Sequence, residues 1–494
     1  MLKKVRNVGT STIYYGAGNL LNKSLGLILI PLYARHIPIE QYGVLAILEL
    51  TILMLTALLN FGITSGHERY FFLERGRNEY GTFLFSNVSG LFLISILSLT
   101  VFSLLCPFIS QVLWGNYDNS YLLFIVALIT FAEINNIIPF QILQYEGKPL
   151  TYISTNFARL LISVIATIYF VLHKELGIKG ILYGRLIGSL LTMLFQYFII
   201  LIPRIILRID FKKLLMTIKY GLPVTISLIG YLIFASSDRY ILNWLTDERQ
   251  TGMYGFGYRI ANLIMLLVQS IGIGYLPMMY QQEKEEDNIR FYRKMLFYYS
   301  FVMTYAILGF LFFYKVLLWP LVQNKEYWNG LSIVPLMSMS FFVLGMNNFV
   351  NVGITLKNKT RYYIVPTFIT AVINIGLNIL FIKQLGFIGA AISTLISQII
   401  NTSLITIIAS RFMAISFEWK KIFLVIVLAI AFYFLGISIT PEHKVLLLVI
   451  RTSLLIAFPY FLLKLNLFEP IEIQRFKEGI RKLKNIIISK LYFI

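Results

Sequence analysis

The chain has 494 residues, 58% hydrophobic and only 13% charged, with a mean hydropathy of +0.76; a water-soluble protein of this length does not need so much apolar side chain, so its main solvent is lipid. The net charge of +20 would suggest nucleic acid in a soluble protein, but in a membrane chain it reads as loops held in the cytoplasm, and no nucleic-acid partner is expected. The lone cysteine, Cys106, excludes an internal disulfide, and the histidines His36, His67, His173 and His443 stand at no metal-ligand spacing, so neither a metal nor a cofactor is expected.

The N-terminal stretch MLKKVRNVGT puts three basic residues before the first apolar run, as a signal peptide does. That run continues beyond about 20 residues without a small-residue cleavage site, and reads as an uncleaved first span. Apolar runs of about 20 residues predict fourteen spans, at 11–35, 42–66, 82–111, 120–143, 151–172, 178–202, 215–243, 252–280, 295–319, 328–353, 363–382, 386–410, 421–438 and 445–463. Helices are expected, because an open strand edge cannot be satisfied in lipid and no alternating ten-residue barrel pattern occurs. With a cytoplasmic N-terminus, 29 of the 43 basic residues fall on the cytoplasmic side and eight on the other, which supports the count and the orientation with both termini cytoplasmic. The six left over, Lys23, Arg159, Arg185, Arg239, Arg259 and Arg451, lie within or at the ends of spans.

Two words, IEQYGVLAI (39–47) and RQTGMYGFGYRI (249–260), each follow one span and open the next, with Gly43 and Gly252 separated by 209 positions. KELGIKG (174–180) and KQLGFIG (383–389) are again 209 apart, and GKPLTYI (147–153) resembles NKTRYYI (358–364) at 211. A recurring offset implies duplication. Each copy holds six spans, so the repeat is parallel, and two such bundles enclose a site between them. The expected fold is an all-α integral membrane protein of about 14 transmembrane helices. It comprises an N-terminal six-helix bundle over 1–210, a C-terminal six-helix bundle over 211–412, helices 13 and 14 over 413–466, and a cytoplasmic amphipathic basic tail over 467–494. In that tail Phe476, Ile480, Leu483 and Ile487 share one face, the pattern of a helix lying on anionic membrane lipids.

Positions three or four apart share a helix face. Span 1 carries Tyr15, Asn19, Asn22, Lys23 and Gly26 on one stripe, and span 2 carries Glu49, Thr56, Asn60 and Thr64. Span 8 carries Tyr258, Arg259, Asn262 and Gln269, and span 10 carries Asn347, Asn348, Asn351 and Thr355. A charge at the centre of a bilayer costs about 2.5–3.5 kcal/mol on insertion scales. Lys23, Glu49 and Arg259, each a turn or more inside its span among polar neighbours, are therefore expected to line a wet cavity. A single asparagine serves equally as interhelical glue worth about 0.6–2 kcal/mol. Asp238 and Arg239 read as a local ion pair or snorkelling pair as readily as a transport element, and Arg159, Arg185 and Arg451 read as snorkelling side chains. Glu133 with Asn135 and Asn136 reads as a coupling carboxylate or as a buried capping cluster.

A cationic cavity attracts an anionic substrate. Arg259 suits bidentate contact with phosphate and Lys23 a point contact, while Asn19, Asn22 and Asn262 suit sugar hydroxyls. Arg69, at the cytoplasmic end of span 2, is a further substrate contact or a positive-inside anchor. Glu49, Asp238 and Glu133 are the candidates for ion coupling. GAGNLL (16–21) lacks the third glycine of a dinucleotide fingerprint and no Walker A pattern occurs, so no enzyme activity is expected.

The run NLLNKSLGLILIPLYARHIPIEQYGVLAI with LLNFGITSGHERYFF (58–72), and the run SSDRYILNWLTDERQTGMYGFGYRIANLIMLLVQSIGIGYLPMMY (236–280), resemble the Wzx-type polysaccharide flippases of the multidrug/oligosaccharidyl-lipid/polysaccharide exporter superfamily. The similarity extends over essentially the whole chain. It implies a two-lobed transporter of the bacterial cytoplasmic (inner) membrane that moves an undecaprenyl-diphosphate-linked oligosaccharide repeat unit to the outer leaflet by alternating access. The product would be O antigen of lipopolysaccharide, capsule or exopolysaccharide. The resemblance further implies a cationic lumen, a coupling ion (proton or sodium) and polysaccharide polymerase machinery as a partner. Lys23 and Arg259 agree in kind with basic residues in spans 1 and 8 of the related lipid II flippases. The alternatives are a multidrug cation antiporter of the same superfamily, which would want a cavity dominated by carboxylates, and a membrane polysaccharide polymerase, which the short outer loops disfavour.

Overall fold

A computed structural model describes residues 29–76, 79–283, 285–439, 444–465, 467–470 and 474. In chain order the helices are α1 over 29–36, α2 (Ile39–Leu58), α3 (Ile63–Glu74), α4 (Tyr80–Trp114), α5 (Ser120–Tyr145), α6 (Pro149–Ile168), α7 (Gly177–Gln196), α8 (Phe211–Leu245) and α9 (Glu248–Gln282). They continue with α10 (Asn288–Leu318), α11 (Lys325–Gly330), α12 (Val334–Val350), α13 (Val352–Leu356), α14 (Ile364–Leu385), α15 (Phe387–Ser410), α16 (Trp419–Ser438) and α17 (Lys444–Lys464). Among the described residues twelve helical stretches are long and apolar enough to cross a membrane, and α8, which bends by 51° between Phe211–Gly230 and Ala235–Leu245, makes thirteen if it is one span. The other expected span, 11–35, is described only from residue 29. The chain is a multi-pass membrane protein whose helices satisfy their own backbone hydrogen bonds, as lipid requires.

Span 2 departs from its expected bounds. Instead of one helix over 42–66, α2 stops at Leu58 and α3 starts at Ile63, with Phe61 at φ 47° and Gly62 at φ 79° between them. The backbone groups freed by the break are closed by Asn60. Its Nδ2 donates to Thr56 O (3.1 Å) and Ala57 O (2.8 Å), and its Oδ1 accepts from Gly62 N (2.8 Å) and Thr64 Oγ1 (3.2 Å). Asn60 thus repairs a break instead of extending the polar stripe of Glu49. The break also lets Gly62 meet Gly221 of α8, where a Cβ on either residue would overlap the other's backbone.

The chain clusters into two compact units. The first takes in residues up to Leu266, Leu318–Val343 and Thr360–Ile405. In it Ile134, Ile138 and Ile142 of α5 pack with Leu84 and Leu91 of α4 and Phe71 of α3 in one apolar cluster. Apolar contact gains little over lipid, so polar links between helices matter more than in water. Asn135 of α5 donates to Ser95 Oγ of α4 (3.2 Å) and accepts from Tyr197 Oη (2.9 Å), and Asn136 donates to Ser189 O of α7 (3.0 Å). Beside them Arg185 Nε of α7 holds Glu133 Oε1 of α5 at 2.9 Å. Arg185 is therefore half of an ion pair and does not snorkel, and Glu133, Asn135 and Asn136 join helices and do not cap one.

Contacts in this unit recur at the offset of the repeated words. A Cβ on Gly43 would overlap Glu248 O, and a Cβ on Gly252 would overlap Ile39 O; 39 and 248, like 43 and 252, differ by 209. The Gln41 side chain abuts Gly177, while Gln250 abuts Gly386 and accepts from Phe387 N at 3.1 Å. Both glutamine–glycine pairs are related by the same step.

The second unit takes in Leu267–Leu317, Leu344–Lys359 and the chain from Thr406. Tyr275 and Tyr299 pack against Phe349 with ring centroids 4.3 and 4.7 Å away. Arg451 of α17 turns inward, donating through Nη1 to Phe312 O of α10 at 2.8 Å, so it too does not snorkel. Glu469 takes Lys294 at 2.8 Å and Arg290 at 2.9 Å, tying the start of the tail to the head of α10. The tail's expected apolar face, Phe476 to Ile487, lies outside the described residues.

Candidate functional site

On α2, Tyr42, Leu45, Ala46 and Glu49 fall at i, i+3, i+4 and i+7; on α9, Gly255, Tyr258, Arg259 and Asn262 repeat that spacing. Each set is one helix face. The two faces and Arg239 of α8 line a cavity of about 260 Å³ in the first unit. The helices come together because Gly43 and Gly252 let their backbones touch and because Gly255 leaves room for Ala46.

That approach carries Glu49 onto Arg259. Arg259 Nη2 lies 2.8 Å from Glu49 Oε1 and 2.6 Å from Oε2, and the guanidinium sits 5.5 and 5.4 Å from the Tyr33 and Tyr42 ring centroids. Hydrogen bonds between ions are the strong ones, and cation–π contact adds to them in a desolvated site. Arg239 is held differently, 4.1 Å above the ring of Tyr258, with its Nε buried and without a hydrogen-bond partner.

Asp238, 3% exposed, does not pair with the guanidinium of Arg239. Its carboxylate accepts from the Tyr254 hydroxyl and from the Arg239 backbone N–H (2.8 Å). Neighbours in a helix point about 100° apart, so Asp238 turns into the protein while Arg239 turns into the cavity. Of the readings open from the sequence, the local ion pair is thus removed.

Of the residues singled out from sequence, the structure brings Glu49, Arg259 and Asn262 into one cavity. Asp238 lies behind its wall, and Glu133 is engaged by Arg185. Arg69 is exposed on α3 and does not line the cavity. Lys23, Asn19 and Asn22 lie outside the described residues. Tyr258, on the expected polar stripe of span 8, lines the cavity as well; Arg239 and Tyr42 are cavity residues that the sequence reading did not select as contacts, and the signal available for Arg239 was its place among the six basic residues within spans. Among the described residues no cluster of three or more His, Cys, Asp or Glu side chains suits a metal ion.

Ligand pockets run to roughly 300–1,000 Å³, so 260 Å³ accommodates a phosphate group or about one sugar, not a whole oligosaccharide. Its lining carries two arginines and one glutamate, one positive charge in excess.

Beyond the spans, Glu146 follows α5 and binds Arg204 through two bonds of 3.0 Å and Lys148 at 2.6 Å. Burial pushes its carboxyl up, but the hydrogen bonds and charges of Arg204 and Lys148 outweigh this and bring it down to about 2.

Residues 8–283 match the family of polysaccharide biosynthesis proteins. Over 419 residues, 84% of this chain and 86% of the relative, the sequence is 20% identical to the probable low-salt glycan biosynthesis flippase Agl15 of Haloferax volcanii. It is 21% identical to Lsg locus putative protein 1 of Haemophilus influenzae over 346 residues, 67% of this chain and 82% of that protein. Among solved structures, the inward closed conformation of the lipid II flippase MurJ superposes with a TM-score of 0.72 at 16% identity, covering 91% of this chain and 98% of that one. An inward-facing multidrug resistance MATE family transporter of the MOP superfamily superposes at 0.62 and 15% identity, covering 80% and 95%. At such identities the structural likeness establishes the fold.

Proposed function

The chain belongs to the polysaccharide biosynthesis protein family, and from that premise we propose that it is a flippase that carries an undecaprenyl-diphosphate-linked oligosaccharide across the bacterial inner membrane. The direction is from the cytoplasmic to the outer leaflet, and the product feeds a polysaccharide polymerase. The observation that carries this reading is the cavity between the faces of α2 and α9, where two arginines face one glutamate. Fixed cations in a cleft with low-dielectric walls focus their field on an anion, and a diphosphate offers the matching charge. Tyr42, Tyr258 and Asn262 offer rings and an amide to the sugars.

In this reading transport is by alternating access, and two close helix contacts support it. The contact at Gly43 on α2 and that at Gly62, past the break that follows Leu58, are 19 residues apart in the chain. On α2 the cavity is lined by Tyr42, Leu45, Ala46 and Glu49, beside the first of these contacts. One contact opens while the other holds, and the cargo's head enters from one face and leaves by the other. In this reading the bundles are 1–210 and 211–412, Lys23, Asn19, Asn22 and Arg69 extend the anion path, and Glu49, Asp238 or Glu133 takes the coupling proton or sodium ion.

The fold equally suits a multidrug antiporter, but the excess positive charge of the lining disfavours a cationic drug. The chain works as a transporter and not as an enzyme. The test is a gene disruption complemented with wild type, Lys23→Ala or Arg259→Ala at matched protein levels. The reading predicts that both variants lose surface polysaccharide while the lipid-linked repeat unit accumulates. Full complementation by both would sink the cationic-cavity reading.

A further inference from the structure

The two arginines of the cavity are not equivalent. Arg259 is already ion-paired: both oxygens of Glu49 lie within 2.8 Å of its Nη2, and two tyrosine rings flank it. Its charge is balanced by a neighbour on the facing helix, and a ligand would have to displace a carboxylate to reach it. Among the described residues, the guanidinium of Arg239 makes no hydrogen bond or ion pair, and its Nε is buried without a partner. The one carboxylate next to it in the chain, Asp238, is taken up by Tyr254 and by backbone. Cation–π contact with Tyr258 at 4.1 Å engages the charge of the guanidinium without using its N–H donors in hydrogen bonds, which leaves them to a ligand. A planar donor group on a charge without an ion-pair partner among the described residues fits a phosphate oxygen pair.

We propose that Arg239 is the anion-contacting cation of this cavity, and that Glu49 makes Arg259 a tie between α2 and α9 instead of a substrate contact. The inference deepens the flippase reading and rests on it, since it names which side chain meets the cargo's phosphates. The role given to Arg259 has its own consequence: neutralising Glu49 frees Arg259 and adds a second cation without an ion-pair partner, so anion affinity rises.

The test uses the full chain in detergent, with calorimetric titration of a short-chain polyprenyl diphosphate and, as control, the neutral polyprenol of the same length. Loss of a hydrogen bond to a charged group is expected to cost about tenfold or more in affinity. Arg239→Gln should therefore weaken diphosphate binding at least tenfold and flatten its salt dependence, with polyprenol binding unchanged. Glu49→Gln should tighten diphosphate binding several-fold. Should Arg239→Gln fail to fold, Arg239→Lys replaces it, and it should lose part of the affinity while keeping the salt dependence. Wild-type affinity in the Arg239 variants, or weaker diphosphate binding in Glu49→Gln, would overturn the assignment and leave the flippase reading standing. A wild-type protein that binds diphosphate no better than polyprenol would overturn both.

Discussion

Glu49 and Arg259 show how burial sets the worth of a charge pair. Their side chains are 34% and 25% exposed, so the pair is neither a surface bridge worth about 0–1 kcal/mol nor a fully buried one whose rupture costs about 3–5 kcal/mol. Arg259→Gln is expected to lower stability by about 1.5–3 kcal/mol, the range for a hydrogen bond between charged groups, read as thermal unfolding in detergent; an unchanged midpoint would mean that the pair holds nothing. Glu146 makes a pH prediction. Its folded-state value of about 2 lies below the usual 4.5, so its bonds to Arg204 and Lys148 stabilise the fold above about pH 4.5 and are lost as the pH falls toward 2. Glu146→Gln should remove that acid-side loss from the unfolding profile. At this scale the sequence was legible in part. The i+3 and i+4 spacing around Arg259 picked out Tyr258 and Asn262 of the α9 face, whereas the stripe expected from Glu49 ran toward Thr56 and Asn60 and the cavity face of α2 runs back to Tyr42; of the readings open for Asp238 and Arg239, the structure removes the local ion pair because adjacency in the chain is not adjacency in space.

The elements were legible wherever apolar length decides, and the expected spans from 82–111 onward each overlie a helix. Span 2 was not, because its break depends on one asparagine side chain and one left-handed glycine, features that hydropathy does not weigh. Asn60→Ala leaves Thr56 O and Ala57 O without their side-chain donor and Gly62 N without its acceptor. It is expected to destabilise the protein by about 1–3 kcal/mol, measured by urea or thermal unfolding in micelles; a change below about 0.5 kcal/mol would contradict its role at the break. The crossing of α2 and α9 has no room for a methyl group. Gly43→Ala and Gly252→Ala should each cost about 1–3 kcal/mol by overpacking. Because both act on one contact, the double variant should cost less than the sum. Strict additivity would show that the two glycines do not meet.

Across the whole molecule, the repeated words at an offset of 209 reappear as contacts: Gly43 against Gly252, and Gln41 with Gly177 matched by Gln250 with Gly386. These contacts in the first unit are compatible with the duplication expected from weak sequence similarity. What one sequence does not carry is which helices touch, and so which of six intramembrane cations share a cavity; that depended on glycine approaches between segments some 200 residues apart. The account's central claim is that this cavity passes a diphosphate-linked glycan across the bilayer, and the direct measurement is transport by purified protein in liposomes. A fluorescent polyprenyl-diphosphate-linked oligosaccharide would be loaded in both leaflets, and its exposure to an external quencher followed in time. The account predicts that wild-type protein makes the inner-leaflet pool quenchable and that Arg239→Gln slows this at least tenfold, with a phosphate-free glycolipid left unmoved. Exchange no faster than in protein-free liposomes, or equal movement of the phosphate-free glycolipid, would contradict it.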